Sequence, residues 1–189
     1  YNPLKDFKAV ARMNYSAACM IVRSDSKHKT LKSLFDEAKS SKGKMKLGHS
    51  GMWGATMVPM AQILSWAKVQ VNLTPFKGGG PSMQGLLSGD VEAILQFPSG
   101  INAQGDKVRT LACGAKEKSL GNPPVLSDLG FPGQIGYMDR IILAPAGTPD
   151  DRIKILQSAL SKLKDDKTFK KFMKRLGENT AYMNGPEYE

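Results

Sequence analysis

The sequence predicts an α/β fold with a largely parallel sheet flanked by helices. Short apolar runs alternate with stretches of 3.6-residue periodicity from residue 17 to 113. Two of those runs exit through glycine-bearing turns that open directly into a helical pattern. The C-terminal part carries capped amphipathic helices after a last apolar run.

The elements follow in order. Residues 17–23 suit a strand. Thr30 then opens a helix with Leu31, Leu34, Phe35 and Ala38 on one face, ended by Lys42-Gly43-Lys44. Residues 45–48 form a short strand that runs into Gly48-His49-Ser50-Gly51-Met52-Trp53-Gly54. A helix over 54–67 follows, with Met57, Met60, Ala61 and Leu64 in register and Pro59 early enough to be tolerated. Val69, Val71 and Leu73 alternate as a strand that ends in Pro75-Phe76-Lys77-Gly78-Gly79-Gly80-Pro81-Ser82. A short helix with Met83, Leu86 and Leu87 stops near Gly89, and strands are predicted at 91–97 and 108–113. Pro123-Pro124 and Gly130-Phe131-Pro132-Gly133 punctuate a loop before the strand Ile141-Ile142-Leu143. Thr148-Pro149-Asp150-Asp151 caps a helix whose stripe is Ile153, Leu156, Leu160 and Leu163. A second helix carries Phe169, Phe172, Met173 and Leu176 and closes at Gly177.

The 189 residues carry a formal net charge of +10. The basic residues are scattered, and the densest stretch, Lys162 to Arg175, is interleaved with Asp165, Asp166 and apolar residues at helical spacing. That pattern reads as a solvated helix face rather than a nucleic-acid surface. No apolar run reaches the about 18 residues of a membrane span. The start at Tyr1 rather than Met is that expected of a processed or excised segment.

Cys19 and Cys113 both lie in apolar, strand-like runs. They are expected as buried free thiols, a disulfide being the alternative. His28, among lysines and serine, is expected at the surface, and His49 lies in a glycine-bounded loop. The spacings of metal motifs do not occur, so no metal or cofactor is expected.

Two stretches bear on chemistry. A strand that leaves through glycines into a helix start exposes backbone N–H groups that attract a carboxylate or phosphate. Ser50, Gly51, Gly54, Ala55 and Thr56 form such a turn, with hydroxyls from Ser50 and Thr56 and a wall from Trp53. Gly78 and Gly79, beside Lys77 and Ser82, form a second. Strand-end loops of open α/β sheets converge on one crevice, so the two turns predict a small-anion site. Aromatic acids have Trp53 or Phe97 to stack on. The spacing is neither a dinucleotide fingerprint nor a Walker loop. A nucleophile elbow would need glycine where Met52 stands, and adjacent His49 and Ser50 do not make a base-nucleophile pair. No catalytic residue is expected, and the protein reads as a binder, not an enzyme.

Five stretches occur in order along the chain: Pro3-Leu4-Lys5-Asp6-Phe7 with Val10-Ala11-Arg12; Val22-Arg23-Ser24-Asp25-Ser26 with Lys29-Thr30-Leu31; Thr74-Pro75-Phe76-Lys77-Gly78-Gly79-Gly80-Pro81 with Gly89-Asp90-Val91; Lys107-Val108-Arg109-Thr110-Leu111-Ala112; and Leu143-Ala144-Pro145-Ala146-Gly147-Thr148-Pro149. Through them the chain resembles the solute-binding receptors of tripartite tricarboxylate transporters, periplasmic proteins of the type II binding-protein fold.

The resemblance implies a bilobal receptor, located in the periplasm, that closes on a small organic carboxylate and presents it to membrane transporter subunits. It implies that residues 1–24 and 137–189 belong to a first lobe and 25–136 to the second. Two departures stand out. The family reads Gly-x-Gly-Ser/Thr near the first turn with a histidine three residues later, whereas here Gly51-Met52-Trp53-Gly54 is followed by Met57. The family's glycine-rich N-terminal stretch is also missing. The first lobe is therefore expected to be incomplete, its apolar strands covered by a missing N-terminal segment or a second copy. The effector-sensing domain of a cytoplasmic transcription regulator is the alternative reading, since it shares the bilobal fold.

Overall fold

The computed structural model describes residues 2–131 and 136–188. Pro132 and Gly133, expected in the punctuated loop, lie outside the described residues. In chain order the elements are α1 (Pro3–Asp6), β1 (Phe7–Ala17), β2 (Cys19–Arg23), α2 (Leu31–Ser40), β3 (Lys46–His49), α3 (Met57–Ala67), β4 (Asn72–Pro75) and α4 (Gly79–Ser88). They continue with β5 (Ala93–Gln96), α5 (Pro98–Asn102), β6 (Val108–Cys113), β7 (Tyr137–Pro145), α6 (Asp150–Ser161), α7 (Lys167–Leu176), β8 (Met183–Asn184) and α8 (Gly185–Tyr188).

The chain divides into two compact units, residues 1–16 with 139–189, and residues 17–138. The boundaries fall at 16/17 and 138/139, where the expected lobes were divided at 24/25 and 136/137. The physical reason for the first shift is β2, which is built into the sheet of the second unit.

That sheet has the order β4-β3-β5-β2-β6. β3 pairs in parallel with β4 and with β5. β2 runs antiparallel to both β5 and β6, so the sheet is mixed rather than largely parallel. Its two faces are sorted by strand alternation. Met20, Val22, Ala93 and Leu95 pack with α2 and α3 residues such as Leu34, Phe35, Met60 and Ile63. Cys19, Ile21 and Ile94 pack with Met83 and Leu86 of α4 and Ile101 of α5. The central strands β2 and β5 are buried on both faces, which is why their sequences read as continuous apolar runs. Beside β2, α2 is capped as a box. The Thr30 hydroxyl accepts the Ser33 N–H at 3.1 Å, and the Ser33 hydroxyl accepts the Thr30 N–H at 3.3 Å.

Two expectations are overturned in this unit. The antiparallel register sets Cys19 directly opposite Cys113, with Cα atoms 4.0 Å apart, and the two form a disulfide rather than free thiols. His28 is buried, not at the surface. The Ser26 hydroxyl accepts the His28 N–H at 3.2 Å, and this tight turn brings the ring to α2, with Nε2 3.5 Å from Glu37 Oε2. Lys27 Nζ lies 2.7 Å from the same carboxylate and, by hydrogen bonding, holds it below the usual range.

The first unit contains a sheet ordered β7-β1-β8, with β1 and β8 antiparallel. The sequence pattern did not predict β1, because its apolar positions do not alternate cleanly. The core here is small: Val10, Ala144 and Ile153, with Leu160 against them. Ile141, Ile142 and Leu143 form a strand as expected, yet all three are exposed, as are Ile155 and Leu156 of α6. A polar cluster ties the segment after α7 to the sheet. The nearly buried Glu178 carboxylate receives both terminal nitrogens of Arg140 at 3.2 Å, Asn14 Nδ2 at 3.3 Å and the Ser16 hydroxyl.

Candidate functional site

The second unit brings both predicted turns to one edge. β4, β3 and β5 are neighbours, and the chain leaves each at the same end of the sheet. β3 leads through residues 50–56 to α3, β4 through Phe76-Lys77-Gly78 to α4, and β5 through Phe97 to α5. Within this unit the strand-end loops gather at one edge of the sheet.

The two turns are hydrogen-bonded to each other. The Phe76 N–H donates to the His49 carbonyl at 2.9 Å, and the Gly78 N–H donates to the Ser50 carbonyl at 3.1 Å. The Phe76 ring lies beneath both. A Cβ on Gly48 would stand 2.9 Å from the ring, and one on Gly85 of α4 would stand 2.3 Å from it. Glycine at 48 and 85 is thus the room the ring occupies.

The first turn is pinned from inside. Thr56 is buried, and its hydroxyl oxygen accepts the Ser50 N–H at 2.9 Å and shares a hydrogen bond with the Ser50 hydroxyl at 2.8 Å. When Thr56 donates in that pair, the half-buried Ser50 retains a free O–H for a ligand. His49 is buried and its Nδ1 stands 2.9 Å from the Gly51 carbonyl and 3.3 Å from the Gly51 N–H. With the proton on Nδ1 the ring donates to the carbonyl; the other tautomer accepts the N–H. The partners of Ser50 and His49 are therefore Thr56 and Gly51, not one another.

The helix starts three residues later than its periodicity predicts. Gly54 donates to the Gly51 carbonyl at 3.3 Å, and its own carbonyl accepts from Met57 at 3.1 Å and Val58 at 3.4 Å. Residues 51–56 are consequently consecutive turns, and α3 begins at Met57. The first N–H groups of α3 are already bonded. The free donors precede them: among the described residues, the N–H groups of Met52, Trp53, Ala55 and Thr56 have no partner. In the second turn, Gly78 has φ +112 and caps α4, and the Gly79 and Gly80 N–H groups are likewise unpartnered among the described residues. The buried Ser82 hydroxyl also lacks a partner.

Sequence reasoning missed Gln96. Its buried amide holds two helix starts, Nε2 donating to the Gly79 carbonyl at 3.2 Å and Oε1 accepting the Phe97 N–H at 2.9 Å. A Cβ on Gly100 would lie 2.8 Å from the same amide. A glutamine ending an apolar strand, two residues before a proline, was the available signal. Phe97, expected as a wall for a ligand, instead has its ring buried in the core with Leu95 and Phe35. Trp53 and Met52 are the opposite case, 78% and 62% exposed.

This arrangement has known counterparts. The family model described as the tripartite tricarboxylate transporter family receptor matches residues 1–189. A Cupriavidus necator protein from the gbd 5′ region is 26% identical over the whole chain, which spans 58% of that relative's length. A solute binding protein of this family from Polaromonas superposes with a TM-score of 0.74 at 26% identity, over 97% of this chain and 64% of that one. MatC from Rhodopseudomonas palustris, solved with bound malate, superposes with a TM-score of 0.86 at 23% identity, over 95% of this chain and 63% of that one. The fold is therefore that of these bilobal α/β binding proteins, and the chain spans less than two thirds of the length of each. By the match over its full length, the chain belongs to the tripartite tricarboxylate transporter receptor family, a family of periplasmic binding proteins rather than enzymes.

Proposed function

We propose that the protein carrying this chain is an extracytoplasmic receptor that captures a small organic carboxylate and delivers it to membrane transporter subunits. The observation that carries the reading is the set of unpartnered N–H groups at Met52, Trp53, Ala55 and Thr56, beside those of Gly79 and Gly80. Backbone donors at an edge where helix dipoles begin suit one or two carboxylate groups. The Ser50 hydroxyl adds a neutral donor and Lys77 an exposed cation. Relatives of the same fold were solved with malate and with adipate, both small carboxylates. A disulfide in the unit suits an oxidising compartment.

Ala55→Pro tests this directly, because it deletes one N–H from the turn without adding charge. Carboxylate affinity is expected to fall by about 1–3 kcal/mol, the cost of one charge-assisted hydrogen bond. Isothermal titration of a folded variant with unchanged affinity would show that the turn is not the grip.

A further inference from the structure

We infer that the carboxylate this site selects carries an aromatic ring, and that Trp53 is the residue that selects it. The inference rests on the carboxylate-binding reading above and narrows it to a ligand class.

Trp53 and Met52 are the most exposed large apolar side chains among the described residues. Burial alone would not place an indole there, since water contact over most of its surface forfeits its hydrophobic gain. The backbone opposes it as well. Trp53 has φ +58, in the left-handed region where a bulky residue is an outlier. Gly51 and Gly54 stand within two positions of it, so the local sequence uses glycine freely and yet has tryptophan where glycine would be relaxed. An exposed, conformationally costly indole is explained by a contact that forms when the site is filled.

Its position identifies the contact. The unpartnered N–H groups of Met52 and Trp53 belong to the same residues as the exposed side chains, and those of Ala55 and Thr56 follow within three positions. A carboxylate held on these donors has its carbon body beside the residue 53 side chain. The indole offers a broad π face, which prefers a planar ring in offset or edge-on geometry, and Met52 offers a polarisable thioether suited to the ring edge. A flexible aliphatic diacid gains little from that face.

Benzoate and succinate serve as probes, titrated calorimetrically into the full chain. Trp53→Ala is expected to weaken benzoate by about tenfold and succinate by less than about threefold, with Trp53→Tyr restoring most of the benzoate affinity. Trp53→Gly, which relaxes the backbone, is expected to show the same selective loss, separating the ring from the φ angle. In Trp66→Phe, Trp53 is the remaining tryptophan of the two. Its emission is expected to respond to benzoate and not to succinate. Equal losses for both probes, or benzoate binding unchanged in Trp53→Ala, would overturn the inference while leaving the carboxylate receptor intact. Failure of the full-length protein that carries this chain to bind either probe or malate would overturn the receptor reading and this inference with it.

Discussion

Gln96 shows how much one side chain can hold. Its amide joins the end of β5 to the first residue of α4 and to the start of α5, with Gly79 and Gly100 packed against it. Gln96→Leu keeps the volume but leaves the buried Phe97 N–H without its acceptor and takes the side-chain donor from the Gly79 carbonyl. Urea denaturation is expected to show a loss of about 1–3 kcal/mol, the cost of stranding buried polar groups. Carboxylate affinity should fall with it, because the donors at Gly79 and Gly80 lose their anchor. At this scale the sequence was informative where backbone chemistry decides. Glycines at a strand exit announce a turn, and Ser50, Gly51, Gly54, Ala55, Thr56, Gly78 and Gly79 do share one edge. It was uninformative where the answer is which way a side chain faces. Phe97 turned into the core, His28 became buried, and Cys19 met Cys113, each by a sheet register or loop path that local composition does not encode.

Secondary structure was most legible where the signal is local. The Thr30 cap, the buried face of α2, the stop of α4 at left-handed Gly89 and the whole of β6 follow from neighbours in sequence. The C-terminal helices are instructive exceptions. α6 begins at Asp150 with Pro149 as its cap residue, and of its expected stripe Ile153 is buried whereas Leu156 is exposed. α7 takes its cap from Asp166, whose carboxylate accepts the Phe169 N–H at 2.6 Å, although the periodicity treated that aspartate as surface charge. α4 depends on an element beside it, because Gly85 faces the Phe76 ring. A methyl at Gly85 would stand 2.3 Å from Phe76 Cζ, so the ring must leave its seat between Gly48 and Gly85. Gly85→Ala is expected to destabilise by about 1–3 kcal/mol, the usual cost of overpacking. Thermal unfolding followed by circular dichroism checks this. A neutral result would mean the ring has another rotamer to occupy.

At the scale of the whole molecule, the two units differ in how they are held. The second has a two-sided core and a cross-link; the first has a small core and exposes Ile141, Ile142, Leu143 and Ile155. The α/β class and the sheet edge at which the two glycine-bearing turns meet were visible in the alternation of periods. The mixed sheet was not, because strand direction follows from which distant runs pair. The cross-link spans 94 residues and encloses α2, β3, α3, β4, α4, β5 and α5. On the chain-entropy account, a loop of that length contributes about 4–5 kcal/mol. Replacing both cysteines by alanine is expected to lower the urea midpoint accordingly, and thiol titration of the unfolded parent should find no free sulfhydryl before reduction. Two reactive thiols in the unreduced parent would contradict the pairing.

The bond between the Gly78 N–H and the Ser50 carbonyl, with that between Phe76 and His49, has a kinetic meaning. Because the two lips are stapled before anything arrives, the anion of the proposed function does not wait for either to settle. The ordering cost is met during folding, and the encounter is governed by diffusion and by the field of a chain with net charge +10. Added salt then slows capture and leaves the lifetime of the bound state nearly untouched. Selection among anions accordingly lies in how long each one stays.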